Sequence, residues 1–207
     1  MAEKIPVVVI IDLDGTIVES KPADVLFCQG FKLEPGKQII GEYAVSAILH
    51  LLKGGIGRVS EHLIETVQTI WHGGSYSNGS YPLVSGMEEA LEASKSLVLY
   101  LALISSNRRE FVERTGRKVL PLFDYVVTRE NAGRKSDGLQ LIIDKFGLPK
   151  HKHCLFGDTI WDERAAGKAG IHFRGVGWGW KHFKPVNDYG FARTPSEIPQ
   201  IIQQTFL

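Results

Sequence analysis

The 207-residue sequence predicts an α/β fold, a parallel sheet with helices on both faces and a small helical module inserted early in the chain. Three observations carry that prediction. Short aliphatic runs alternate with amphipathic stretches. The alternation is interrupted once, between about residues 22 and 81, where only helical periodicity is present. Clusters of acids or hydroxyls come directly after three of the aliphatic runs.

Five runs rich in Val, Ile, Leu and Phe read as strands buried on both faces. They are VVVII (7–11), LVLYLALI (97–104), YVV (125–127), CLF (154–156) and HFRGV (172–176). Between them lie the helical patterns GMEEALEASK, NRREFVERTGRKVL, DGLQLIIDKFG and DERAAGKAG. Strand-helix alternation of this kind gives parallel pairing with right-handed crossovers. A last helix is expected after TPSE, with Thr194 as N-cap, Pro195 in the first turn and Glu197 closing a capping box.

The interrupting segment holds two apolar-periodic stretches, KQIIGEYAVSAILHLLK and SEHLIETVQTIW. The second places Leu63, Ile64, Val67, Ile70 and Trp71 on one helical face. The Gly/Ser/Asn-rich exit HGGSYSNGSYP suits a flexible connection. The expected division is therefore a core of residues 1–20 and 82–207 and a helical cap of 21–81, able to act as a lid. At the tip of that cap, KGGIGRVSEH carries Arg58, whose planar fork suits a second anionic group on a substrate. A solvated arginine at an exposed turn is the competing reading.

Bulk properties narrow the function. Twenty-four basic and twenty-three acidic side chains give a formal net charge of +1, so no basic field points to nucleic acid or anionic lipid. The aliphatic runs are far shorter than the ~20 residues of a membrane helix. Glu3 and Asp12 break the pattern of a signal peptide. Cys28 and Cys154 make no disulfide framework. A cytoplasmic protein is expected, monomeric or homodimeric, without nucleic-acid or membrane partners. His151 and His153, in the Lys-rich PKHKHC, read as a solvated loop, and Trp178 and Trp180 of GWGW as packing and turn residues, while Trp161 lies within GDTIWD and can border the site.

Ligands of open parallel sheets bind at the carboxyl ends of the strands, so the residues just past each strand are the ones to inspect. After the first strand comes DLDGT with Asp12 and Asp14, after the second SSN with Ser105, Ser106 and Asn107, and after the fourth GDTIWD with Asp158 and Asp162. Four carboxylates brought together need a cation, because like charges a few ångströms apart force one group to protonate. Oxygen donors select a hard divalent ion, Mg²⁺ first. A metal beside a carboxylate nucleophile is phosphoryl-transfer chemistry.

These motifs carry a resemblance. DLDGT, LALISSN, Lys135 in GRKSDG and GDTIWD resemble, in order, the four motifs of the haloacid dehalogenase superfamily of phosphohydrolases, in the branch with a helical cap after the first motif. Within it, the stretches from YPLVSGMEEAL onward and around GWGW are similar to the phosphoglycolate phosphatase-like enzymes. The resemblance implies a Rossmann-like core and a Mg²⁺-dependent phosphatase acting on a small phosphorylated metabolite through an aspartyl-phosphate. It implies Asp12 as nucleophile, Asp14 as acid and base, and Mg²⁺ held by the Asp12 and Asp158 carboxylates and the Asp14 carbonyl. Asp162 would steady a metal-bound water or Lys135. Ser105 would bind phosphoryl oxygens, with Ser106 as the alternative hydroxyl and backbone N–H groups of Ser106 or Asn107 assisting. Lys135 would neutralise the phosphate and Asp12. The family's Pro-rich elbow after this lysine is missing here, which leaves Arg134 as a substitute. Alternatives on related sheets are a phosphomutase and a non-catalytic phosphoacceptor or binding scaffold; Asp14 and the fourth-motif acids argue against dehalogenation.

Overall fold

The computed structural model describes residues 3–20, 81–179 and 190–207. The chain divides into two compact units, residues 1–19 with 80–207 and residues 20–79. Every described residue except Ser20 belongs to the first unit. The two helical stretches of the insert, Arg58 at its tip, Cys28 and Trp180 all lie outside the described residues.

The first unit is built on β1 (Ile5–Asp12), whose β-branched run is buried at every position but Pro6. Such a strand must be covered on both faces. It sits inside a sheet with β2 (Val98–Ile104), β3 (Tyr125–Val127), β4 (His153–Gly157), β5 (His172–Val176) and β6 (Phe191–Ala192) in the order β3-β2-β1-β4-β5-β6. All five pairings are parallel. All five sequence-predicted strands are present: β1 and β4 run one or two residues past the expected ends, β3 and β5 match, and β2 begins one residue later than expected. The sixth, two residues long, is too short to leave a periodicity in the sequence.

The α-helices among the described residues of the unit are α1 (Met87–Leu97), α2 (Arg109–Gly116), α3 (Lys135–Phe146), α4 (Ile160–Ala169) and α5 (Ile198–Phe206). Leu139 and Ile142 of α3 and Ala165, Ala166 and Ala169 of α4 form one core cluster with Val8, Ile10, Ala102 and Leu155 of the sheet. Small residues on α4 let it approach α3 and the sheet closely. Alternation sends Val7, Val9 and Ile11 to the opposite face, where α1 and α5 pack on each other.

The expected capping box before α5 is not formed. Residues Pro195–Glu197 make a 3₁₀ turn, the Thr194 hydroxyl bonds to Ser196 Oγ, and the Glu197 carboxylate accepts instead from the N–H of Arg193 at 2.8 Å. A second proline, Pro199, delays the α-helix to Ile198. His153 also departs from expectation: it is fully buried at the head of β4, with Nδ1 3.0 Å from the Pro149 carbonyl.

Parallel register decides where the site lies. Asp12 pairs with Ile104, Ile104 with Val127, and Ile11 with Phe156. The residues just past β1, β2 and β4 therefore share one sheet edge, at the place where the strand order reverses across β1 and β4. Beyond β1 the chain turns at once, with the N–H groups of Ile17 and Val18 donating to the Leu13 carbonyl at 2.9 and 3.1 Å. Gly15 holds φ of 71° in this turn, a conformation that glycine adopts without steric cost. The outgoing and returning chains then run side by side: Glu19 N–H donates to Pro82 O, and Val84 N–H to Ile17 O, both at 2.9 Å.

Candidate active site

Asp12 ends β1 and is 4% exposed, since the strands on either side and Lys135 cover it. Lys135 opens α3, and its Nζ lies 2.6 Å from Asp12 Oδ1 while also contacting Asp162 Oδ1. The helix starts two residues sooner than the sequence pattern indicates, and this earlier start places the lysine at the sheet edge without the missing elbow. Arg134 precedes it at the N-cap position, exposed.

Asp162 has two tasks. Its Oδ2 accepts from the Thr159 N–H at 3.0 Å and from the Thr159 hydroxyl at 2.6 Å, closing a capping box at the start of α4. Its Oδ1 meets Lys135. The fourth motif thus fixes its own helix and, through the same carboxylate, the lysine of the third. The T-x-x-D spacing of TIWD is the sequence signal for this cap.

Asp14 is half-buried, and its Oδ2 accepts from the side-chain amide of Asn107 and faces Ser105 Oγ at 3.5 Å. Ser105 is buried, and its Oγ accepts the Asn107 backbone N–H at 3.0 Å. That N–H, expected to face a phosphate, is used inside the SSN turn. Ser106 is half-buried on the same turn. Sequence reasoning does not single out the Asn107 side chain; an amide immediately after a strand end is the only hint.

One carboxylate oxygen from each of Asp12, Asp158 and Asp162 lies within 4.8 Å of the others, and all three residues are buried. Burial raises the Asp12 carboxyl well above the ordinary range, the Lys135 ammonium opposes the rise, and Asp162, Asp158 and Asp14 add to it. Burial alone would lower Lys135, but Asp12 and Asp162 hold its ammonium charged well above the usual lysine range. Among the described residues the four carboxylates share one ammonium, that of Lys135. An all-oxygen, buried, acid-rich donor set fits a hard divalent cation, with Asp12 and Asp158 best able to hold it because both oxygens of Asp162 are engaged.

Residues 9–176 match the family model described as haloacid dehalogenase-like hydrolase. The chain belongs to that family and is a hydrolase of its kind. It is 24% identical over 219 residues to a phosphoglycolate phosphatase of Nitrosococcus oceani, covering 97% of this chain and 95% of that one. It is 26% identical over 218 residues to a phosphoglycolate phosphatase of Nitrosospira multiformis, covering 95% and 96%. Among solved structures, a HAD-superfamily hydrolase of subfamily IA from Geobacter sulfurreducens superposes with a TM-score of 0.63 at 19% identity, covering 96% of this chain and 97% of that one. A haloacid dehalogenase-like family hydrolase from Streptococcus pneumoniae gives a TM-score of 0.63 at 20% identity, covering 93% and 96%. No helix among the described residues is long and apolar enough to cross a membrane.

Proposed function

We propose that the protein is a Mg²⁺-dependent phosphatase that hydrolyses a small phosphorylated metabolite through an aspartyl-phosphate on Asp12. The observation that carries this reading is the convergence of Asp12, Asp14, Lys135 and Asp158 on one sheet edge, with Lys135 Nζ 2.6 Å from Asp12. Asp12 attacks phosphorus as the bond to the leaving oxygen breaks, and Asp14 gives that oxygen its proton. Water then attacks the phosphoenzyme, Asp14 takes its proton, and inorganic phosphate leaves with Asp12 restored.

Lys135 balances charge on Asp12 and on the transferring group, and Asp162 holds the ammonium in place. Ser105 and Ser106 offer hydroxyls to the phosphoryl oxygens, Ser106 from the more open position. Asn107 orients Asp14 through its side-chain amide. A Mg²⁺ ion held by the Asp12 and Asp158 carboxylates and the Asp14 carbonyl would neutralise the phosphoryl charge. Residues 21–81 are the cap in this reading, and Arg58 is its candidate contact to a second anionic group. The relatives named above favour a phosphorylated carboxylic acid as the class to test first. A cytoplasmic location fits the buried free thiol of Cys154.

The test is a panel of phosphorylated metabolites assayed with Mg²⁺ and with excess chelator. Metal-dependent release of phosphate, strongest for one small substrate, is expected. No release from any member, or release that survives the chelator, refutes the reading.

A further inference from the structure

The segment after β5, Gly177-Trp178-Gly179, touches the site from a direction that none of the four motifs explains. It is fixed at its start to the sheet. The Gly177 N–H donates to the Ala192 carbonyl at 2.8 Å, and a Cβ on Gly177 would stand 2.9 Å from the ring of Phe191. One residue on, the indole N–H of Trp178 donates to the Thr16 carbonyl at 2.8 Å, inside the turn that carries Asp14. At the third residue the backbone presses on the acids themselves. A Cβ on Gly179 would lie 2.5 Å from Asp158 Oδ2 and 2.6 Å from the Gly15 carbonyl oxygen, distances that real side chains do not adopt.

We propose that Gly177-Trp178-Gly179 is a positioning strap that holds the Asp12–Asp14 turn and the Asp158 carboxylate at a fixed separation, and that Trp178 and Gly179 are its two working residues. This rests on the reading that these acids hold a divalent cation. The physical reason is precision. Cation coordination tolerates only small displacements of the donor oxygens, yet Asp12 and Asp158 stand on different strands and the turn after β1 is irregular backbone. The strap ties that turn to the β5–β6 edge by one hydrogen bond. It also backs Asp158 with a surface that only glycine leaves wide enough. Neither residue needs to touch the substrate or the ion.

The test measures Mn²⁺ binding to the full chain by titration calorimetry, with melting of the metal-free protein recorded in parallel. Gly167→Ala is the control, since a Cβ there meets nothing within 4 Å. Wild type and Gly167→Ala should bind alike. Gly179→Ala should bind about 10- to 100-fold more weakly, and Trp178→Phe, which keeps an aromatic ring and loses the N–H, about 2- to 10-fold more weakly. Both should melt, without metal, within a few degrees of wild type. Wild-type affinity in Gly179→Ala overturns the strap, as does weak binding that comes with a large fall in metal-free melting temperature. If Gly179→Ala does not fold, Trp178→Phe decides, and affinity within twofold of wild type overturns the proposal. Failure of the wild type itself to bind Mn²⁺ is a different result: it removes the cation from the acids and the strap's purpose with it.

Discussion

Replacing Lys135 by Met keeps most of the side chain's volume and removes the ammonium that, among the described residues, contacts both Asp12 and Asp162. The Lys135 side chain is 15% exposed, and the side chains of Asp12 and Asp162 are buried, so solvent cannot take over the charge. At 2.6 Å and an effective dielectric of about 20, the Asp12 contact is worth ~6 kcal/mol of gross Coulomb energy. Desolvation offsets much of this in the wild type, and breaking a buried pair typically costs about 3–5 kcal/mol. For a chain of this size that corresponds to a fall in Tm of roughly 10 °C. The shifts set the pH dependence. Lys135 is held charged well above the usual lysine range, so its own deprotonation weakens the pair only at strongly basic pH, and any change between pH 8 and 5.5 comes from its carboxylate partners. In the variant, the Asp12 carboxyl, already raised by burial, loses the neighbour that lowered it. It then protonates more readily on acidification, which relieves the unpaired charge. Urea unfolding with chelator present should show a deficit of about 3 kcal/mol or more at pH 8 and a smaller one at pH 5.5. A deficit under about 1 kcal/mol at pH 8, or the same deficit at both values, refutes the charge-pairing argument.

Three further outcomes are expected. Asp14→Asn should slow turnover by about 10²- to 10⁴-fold, with a smaller loss in phosphoenzyme formation from a nitrophenyl phosphate than from an alkyl phosphate; equal losses at that step contradict the acid role. Because Asp12 is raised in the metal-free protein, divalent-cation binding should release protons and tighten as pH rises, measurable by calorimetry in buffers of different ionisation heat; no proton release would remove Asp12 from the ligand set. Burial lowers the His153 pKa against the opposing Pro149 and Lys150 carbonyl contacts, so the ring stays neutral in the fold while the unfolded chain takes up a proton below about pH 6.5. Wild type should therefore lose stability relative to His153→Asn between pH 7.5 and 5.5, and a constant difference between the two would refute this.

The strands and helices of the first unit are legible in the sequence because burial on both faces leaves continuous aliphatic runs and amphipathic helices leave a 3.6-residue period. The strand ends are legible for the same reason: once β1, β2 and β4 are placed in a parallel sheet, Asp12, Ser105 and Asp158 have to share an edge. Two kinds of feature escape. Two-residue β6 has no period to read, and the Thr194 cap yields to a proline-directed 3₁₀ turn. The contacts that tune the site escape because they join residues far apart in the chain. Asn107 reaches Asp14 across ninety-three positions, and the Trp178 indole reaches Thr16 across 162. Local pattern carries no trace of such pairs. Lys135 lies between these cases, its type legible in GRKSDG and its placement set by the early start of α3.

The central claim is that Asp12 becomes phosphorylated. Rapid quenching of a single turnover with the best ³²P-labelled substrate, and then peptide mapping, measures this directly. Acid-stable, hydroxylamine-sensitive label on the peptide containing Asp12, formed and lost at rates compatible with turnover and absent in a folded Asp12→Asn variant, is the result expected. Turnover without any labelled protein, or label carried equally by Asp12→Asn, would contradict it.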